Sequence, residues 1–244
     1  MPVFRIALAV LAMAFPLAGV LAEEEKSDTT VLIGWLLEDG RELKDIDFSE
    51  VLTATTGKKI LPVDADADQP WLDRLGLVLD KTLAKLNDPA HPIHTAARIN
   101  EASRFIEDEL LAECNRQPGW SCGIPTTQTG GEQRSGYPDI RLVLEDGSVV
   151  YLDPKLFALE SKSSTLRTFY YEPKTTTSKV RDDARHLLVG VGHNSGAGGQ
   201  LHFEEWDLVD ISRLKVQLKA EFQASNKDMY REGNSIRRSE PKQP

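Results

Sequence analysis

The chain has 244 residues, 40% of them hydrophobic and 27% charged, with a formal net charge of −9 and a pI near 5.1. This is ordinary soluble-protein composition, long enough for one full core and an N-terminal addition. Such an acid surplus argues against nucleic-acid binding by bulk charge, since phosphate contacts need cationic surface, and no internal repeat, Gly-x-Ser-x-Gly elbow or complete phosphate loop is present.

Arg5 precedes an apolar run from Ile6 to Leu21, and Val20-Leu21-Ala22 before Glu23-Glu24-Glu25 resembles a small-residue cleavage site. Residues 1–22 therefore read as a secretory signal peptide, too short and too broken at Pro16 to be an anchor. The expected location is periplasmic or secreted, with no membrane attachment after cleavage. An acidic extension follows over 23–93, with a strand-like run Val31 to Leu37 and a helix from about Pro70 to Asn87 stopped by Asp88-Pro89. Trp71, Leu75, Val78, Leu79, Leu83 and Leu86 form the apolar face of that helix. Asp64, Asp66 and Asp68 alternate as at the start of a calcium loop, but Gln69 and Leu75 stand where Gly and Glu are needed, so the segment reads as a solvated turn. His91 and His94, beside Pro89 and Pro92, read as turn residues.

The next helix spans about Thr95 to Cys114. Ile99, Ala102, Phe105, Ile106 and Leu110 make an apolar stripe, with Glu101 nearly opposite it and Glu107 at its flank. Cys114 and Cys122 bracket a loop containing Pro118-Gly119, and in an oxidising compartment they are expected to form a disulfide. A Cys-x₇-Cys pair alone is a poor zinc site.

Tyr137-Pro138-Asp139-Ile140 opens the most informative segment. Ile140, Leu142 and Leu144 alternate with Asp139, Arg141 and Val143, predicting a strand over 138–145, and 148–156 is a second run of β-formers. Glu145-Asp146-Gly147 between them suits a three-residue loop with Gly in the left-handed region. In that register Leu144 pairs with Ser148, Asp139 lies opposite Asp153, and Lys155 shares their face. A two-residue Asp-Gly turn would instead set Asp139 opposite Pro154 and split the trio between faces. Two carboxylates and an ammonium on one face suit Mg²⁺ held by hard oxygen ligands, with the amine orienting water or neutralising a phosphorane.

The segment from about Thr95 to Tyr230 resembles the PD-(D/E)xK nuclease superfamily, most closely its type II restriction endonucleases. The resemblance implies an α/β (α+β) fold with a restriction-endonuclease-like core of αβββαβ order, in which a mixed central sheet is flanked by helices. Laid onto that core, the chain has a third strand at Leu166 to Tyr171, a helix from about Ser178 to Arg185 and a strand at His186 to Val191. A strand near Phe203 to Asp210 and a helix Ile211 to Gln223 follow. The resemblance further implies that Asp139 and Asp153 bind metal, that Lys155 assists the water, and that a Glu of the first helix is a further metal ligand and catalytic residue; its place at the flank of the stripe favours Glu107, with Glu101 left as the alternative.

Charge is uneven: residues 23–80 carry 15 acids and 6 bases, while residues 213–244 carry 8 bases and 4 acids. Lys162, Arg167, Lys174, Lys179, Arg181 and Arg185, interleaved with Phe169, Tyr170 and Tyr171, could follow a phosphate backbone. Ser225 to Tyr230 offers short polar groups that could meet a groove. The Gly-rich segment His193 to Gly199 reads as a flexible join between strands. The expected organisation is a signal peptide over 1–22, the acidic extension over 23–93, a nuclease core over 94–231 and a disordered tail over 232–244. The expected function is an exported Mg²⁺-dependent endodeoxyribonuclease, its partner DNA or, alternatively, RNA, with a homodimer as a further expectation. The competing reading is a non-catalytic exported binding or assembly module that keeps the same fold.

Overall fold

The computed structural model describes residues 27–37, 44–95, 99–165, 169–174, 176–195, 201–219, 223–234 and 237. The chain divides into two units, Met1–Asp39 and Gly40–Pro244. In the first, the described part is helix α1 (Asp28–Leu37), where a strand was expected over Val31 to Leu37. The cause is local: the Ser27 hydroxyl accepts from the Thr30 amide, an N-cap that starts a helix despite the β-branched residues behind it. The predicted leader and most of the predicted tail lie outside the described residues.

The second unit has a mixed six-stranded sheet flanked by helices, as expected. Its elements in chain order are β1 (Ile46–Asp47), α2 (Phe48–Thr56), β2 (Ile60–Leu61), α3 (Gln69–Leu86), α4 (Ile99–Asn115) and β3 (Ser121–Gly123). Then come β4 (Ile140–Val143), β5 (Val149–Ala158), β6 (Ala184–Ser195), β7 (Leu201–Asp210), β8 (Lys215–Val216) and a single-turn α5 (Asn226–Met229). The strand order is β2-β6-β5-β4-β3, with β7 also on β6, and β1 pairs β8 in a separate ribbon. Strands β5 and β6 run parallel over nine residue pairs, from Val150↔Arg185 to Ala158↔His193, while β3-β4, β4-β5 and β6-β7 are antiparallel.

One face of the sheet packs against α3 and α4. Leu75, Val78, Leu79, Leu83 and Leu86 of α3 and Ala102, Ile106 and Leu110 of α4 meet Ile140, Leu142, Val150, Leu152, Val189 and Val191 in one core. The opposite face carries Val149, Tyr151 and Ala184 under Phe48 and Leu52 of α2. Because alternate residues of a strand point to opposite faces, the even-numbered Ile140 and Leu152 belong to the first core and the odd-numbered Tyr151 to the second. Both long helices are tied to the sheet by an asparagine at their C-terminal ends. The Asn87 amide donates to the Phe203 carbonyl at 2.8 Å and accepts from the Phe203 amide at 2.9 Å. Asn115 does the same with Cys122, at 2.8 and 2.9 Å.

Three expected elements are not formed. Residues 178–183 are irregular, and β6 begins at Ala184. Their helix-compatible composition is overridden by tertiary bonds: Arg181 N donates to the Tyr151 hydroxyl at 3.0 Å, Asp182 is held by Arg141, and Ala184 N donates to the Lys59 carbonyl at 3.1 Å. Phe169 to Tyr171 are not a strand, and the Phe169 and Tyr171 rings pack edge-on against Phe48 at 5.0 and 5.2 Å; Leu166 to Thr168 lie outside the described residues. The expected helix from Ile211 to Gln223 is one 3₁₀ turn, Ile211–Arg213, capped by Asp210, after which Val216 pairs with Ile46. The short β3 was not anticipated, and it supplies the third strand of the αβββ order.

Asn87→Ala deletes a two-way bond at a half-buried position and should lower unfolding stability by about 1–3 kcal/mol. Thermal and denaturant melting of the two proteins would check this; equal midpoints would show that the bond is replaceable by water.

Candidate active site

The β4–β5 hairpin decides the geometry. Gly147 has φ of 83°, the Leu144 amide donates to the Ser148 carbonyl at 2.9 Å, and the Gly147 amide donates to the Leu144 carbonyl at 2.9 Å. The loop therefore has three residues, as expected, and the register runs Val143↔Val149, Leu142↔Val150, Arg141↔Tyr151, Ile140↔Leu152. One step further sets Asp139 opposite Asp153, and Lys155 follows two residues on. The Lys155 ammonium lies against Asp153 Oδ2 and 3.8 Å from Asp139 Oδ2. The carboxyl of Asp153 is almost wholly buried and that of Asp139 is 16% exposed.

Two buried carboxyls this close cannot both keep full charge at ordinary cost. Burial, then the Asp153 charge, pushes the Asp139 carboxyl up to about 8, with Lys155 opposing the rise. The rise belongs to Asp139, whose carboxyl faces the Asp153 charge in a buried setting. Glu107 on α4 adds its charge to that field, and burial raises its own carboxyl although Arg134 opposes the shift. Arg134 binds Glu107 at 3.5 Å and Asp108 at 2.7 Å, clamping the segment before Asp139 onto α4.

A second lysine enters this site from the segment that was expected to be helical. Lys179 is 2% exposed and donates to the Arg134 carbonyl at 3.3 Å. Burial lowers its ammonium, while Asp139, Asp153 and Glu107 act on it in the opposite sense. Under the aspartates, the Tyr137 hydroxyl and His186 Nδ1 are 2.5 Å apart with their rings stacked, and burial pushes the imidazole down to about 3, so it is neutral. Nothing in the sequence marks Lys179 or His186 as buried; only the fold around them does.

The donor set fits a hard divalent cation. Asp153 Oδ2 is buried and makes no hydrogen bond, although Lys155 stands beside it, and a second carboxyl faces it across the ladder. Among the described residues no three His, Cys, Asp or Glu side chains cluster closely enough to hold an ion together. Asp139 and Asp153 are the two carboxyls that face each other here, and Glu107 acts on Asp139 through its charge. Glu101 is exposed on α4.

The other candidate residues separate clearly. Lys162 pairs with Glu205 and Asp207 at 2.8 and 2.6 Å, Lys174 with Glu172 at 3.5 Å, and Arg185 with Asp68 at 2.5 Å; Arg167 lies outside the described residues. Asp64 and Asp68 are used within their own turn and by Trp71, which leaves no calcium loop there. His91 Nδ1 accepts from the Ile93 amide at 3.1 Å. Cys114 and Cys122 are buried free thiols; the hydrogen bond with Cys122, then burial, pushes the Cys114 thiol up. Among the described residues no helix is long and apolar enough to cross a membrane.

In the metal-free protein Asp139 binds its proton more tightly folded than unfolded, so stability is full below the unfolded value near 4 and falls as pH rises towards about 8. In chelator at pH 8, Asp139→Asn should therefore melt about 3–5 °C above wild type, with the difference vanishing at pH 4. Parallel curves for the two proteins across that range would contradict the raised Asp139 carboxyl.

The sequence profile of the type II restriction enzyme MjaV family matches residues 41–233. The type II restriction enzyme MjaV of Methanocaldococcus jannaschii is 28% identical over 202 residues, covering 78% of this chain and 86% of that enzyme. No solved structure matches the chain.

Proposed function

The chain belongs to the type II restriction enzyme MjaV family, and we propose that it cuts DNA with Mg²⁺ held by Asp139 and Asp153. Enzymes of this type are DNA endonucleases that use divalent ions. The observation that carries the residue assignment is the Asp139–Asp153 pair facing across the β4–β5 ladder with the Lys155 ammonium on both. When bound, such an ion supplies Lewis acidity and offsets negative charge developing on the phosphorus. Asp139 and Asp153 would hold the ion through hard carboxylate oxygens, Asp139 losing its proton to do so, and Asp153 Oδ2 has only the Lys155 ammonium beside it. Lys155 then has its ammonium at the position where an attacking water is oriented or a phosphorane oxygen neutralised. Glu107 adds its charge to the pair, and Lys179 holds the Arg134 carbonyl so that the segment leading to Asp139 keeps its place. Tyr137 and His186 form a rigid floor beneath.

Asp153→Asn should cut supercoiled plasmid about 10³-fold more slowly or worse, with an unchanged circular dichroism spectrum. Nicking by the wild type should stop in chelator and return with Mg²⁺, and RNA should remain intact. Retained Mg²⁺-dependent nicking by the variant would remove Asp153 from the site.

Export remains part of the proposal, supported by Arg5, the apolar run to Leu21 and the small residues before Glu23. The family match begins at residue 41, downstream of that leader. A restriction enzyme guards the cytoplasm, so an exported member acts on incoming or extracellular DNA. The adjacent Cys114 and Cys122 thiols are then expected to be joined. Mass spectrometry of protein isolated from the oxidising compartment after alkylation should find both cysteines unmodified and the chain two hydrogens lighter. Two alkylated thiols would count against that compartment.

A further inference from the structure

A cleft of about 440 Å³ lies beside the aspartate pair, between the run Ser121 to Thr126 and the segment Lys179 to Asp182. Its charges are not equivalent. Arg141 is spent on Asp182, with two bonds at 2.8 and 3.0 Å, and the same carboxylate accepts from the Tyr151 hydroxyl at 2.7 Å. Lys179 lines the cleft with its stem while its buried ammonium answers Asp139, Asp153 and Glu107. Arg181 differs from both: its side chain is exposed, and its guanidinium donates to the Thr126 hydroxyl at 3.1 Å rather than to a carboxylate. Its backbone is nevertheless fixed, because its amide donates to the buried Tyr151 hydroxyl at 3.0 Å. The cleft therefore presents one positioned guanidinium with no carboxylate partner among the described residues, and a neighbouring hydroxyl. It adjoins the reaction centre through Lys179.

We propose that this cleft is a subsite for a phosphodiester of the DNA backbone neighbouring the one that is cut, with Arg181 as its anchor and the Thr126 hydroxyl as a second donor. A planar guanidinium matches two phosphate oxygens and loses little freedom when its backbone is already held. Phosphate contacts fix register and orientation without reading sequence. The other exposed cation of the basic set among the described residues, Lys162, is already neutralised by two acids. The inference rests on the nuclease reading, but its test does not require cleavage.

Binding of several unrelated duplexes would be followed by fluorescence anisotropy in chelator over a range of salt, for wild type, Arg181→Ala, Arg181→Lys and Lys162→Ala. Arg181→Ala should weaken binding about tenfold on every duplex and reduce the slope of log affinity against log salt by about 1. Arg181→Lys should restore most of the slope, and Lys162→Ala should match wild type. With Mg²⁺, Arg181→Ala should raise KM and leave kcat near its original value. The proposal is overturned by unchanged affinity and slope in Arg181→Ala, by a loss confined to one sequence, or by wild type that binds no duplex in a salt-sensitive way. Wild type that leaves every DNA substrate intact in Mg²⁺ would instead unseat the nuclease assignment and leave the binding result standing.

Discussion

The pairing of β4 with β5 is the constraint on which the site rests. A strand has a side-chain period of two, so a slip of one residue would send Asp139 to the face opposite Asp153. Gly147, in the left-handed region that a Cβ would strain, lets three residues close the loop and selects the register. Hydrophobic alternation enforces the same choice: Ile140, Leu142, Val150 and Leu152 must all reach the core under α3 and α4. Turn chemistry and burial thus agree, and the two aspartates come into opposition as a consequence.

That opposition stores electrostatic repulsion in a dry place. The protein relieves it with a raised Asp139 carboxyl and with two lysines of different character. Lys155 is partly exposed and touches both carboxyls, so it can respond to a substrate. Lys179 is buried and anchored to a backbone carbonyl, so it serves as a fixed counter-charge. A divalent ion held by the two carboxyls would compete with the proton on Asp139, so under the proposed function its affinity would depend on pH. The neutral His186 beneath adds no charge to compete with it.

The segment between β5 and β6 shows how the sheet recruits irregular backbone for function. The two strands run parallel and need a crossover. Residues 178–183 are part of that connection, held by side chains and amides of the sheet beneath: Tyr151 binds both Arg181 N and Asp182, and Asp182 binds Arg141. The same segment delivers Lys179 inward and Arg181 outward, since residues two apart in an irregular stretch need not share a face.

The local information in the chain was enough for the helices α3 and α4, the β4–β5 hairpin with its three-residue loop, and the trio Asp139, Asp153 and Lys155. Each depends on spacing, turn residues and an apolar stripe within some twenty residues, and such signals do not require knowledge of distant neighbours. The tertiary structure alone decided the rest. Val31 to Leu37 is β-branched in part yet helical behind the Ser27 cap; 178–185 and 211–223 look helical yet are drawn into loops and strands by bonds to Tyr151, Lys59 and Ile46. Lys179, one cation among six in its region of sequence, becomes buried near the aspartates, and Arg181 becomes the exposed cation of the adjoining cleft, bonded to the Thr126 hydroxyl. Burial and pairing of a charge are properties of what lies across space from it, and that is set only when the sheet and its crossovers have closed.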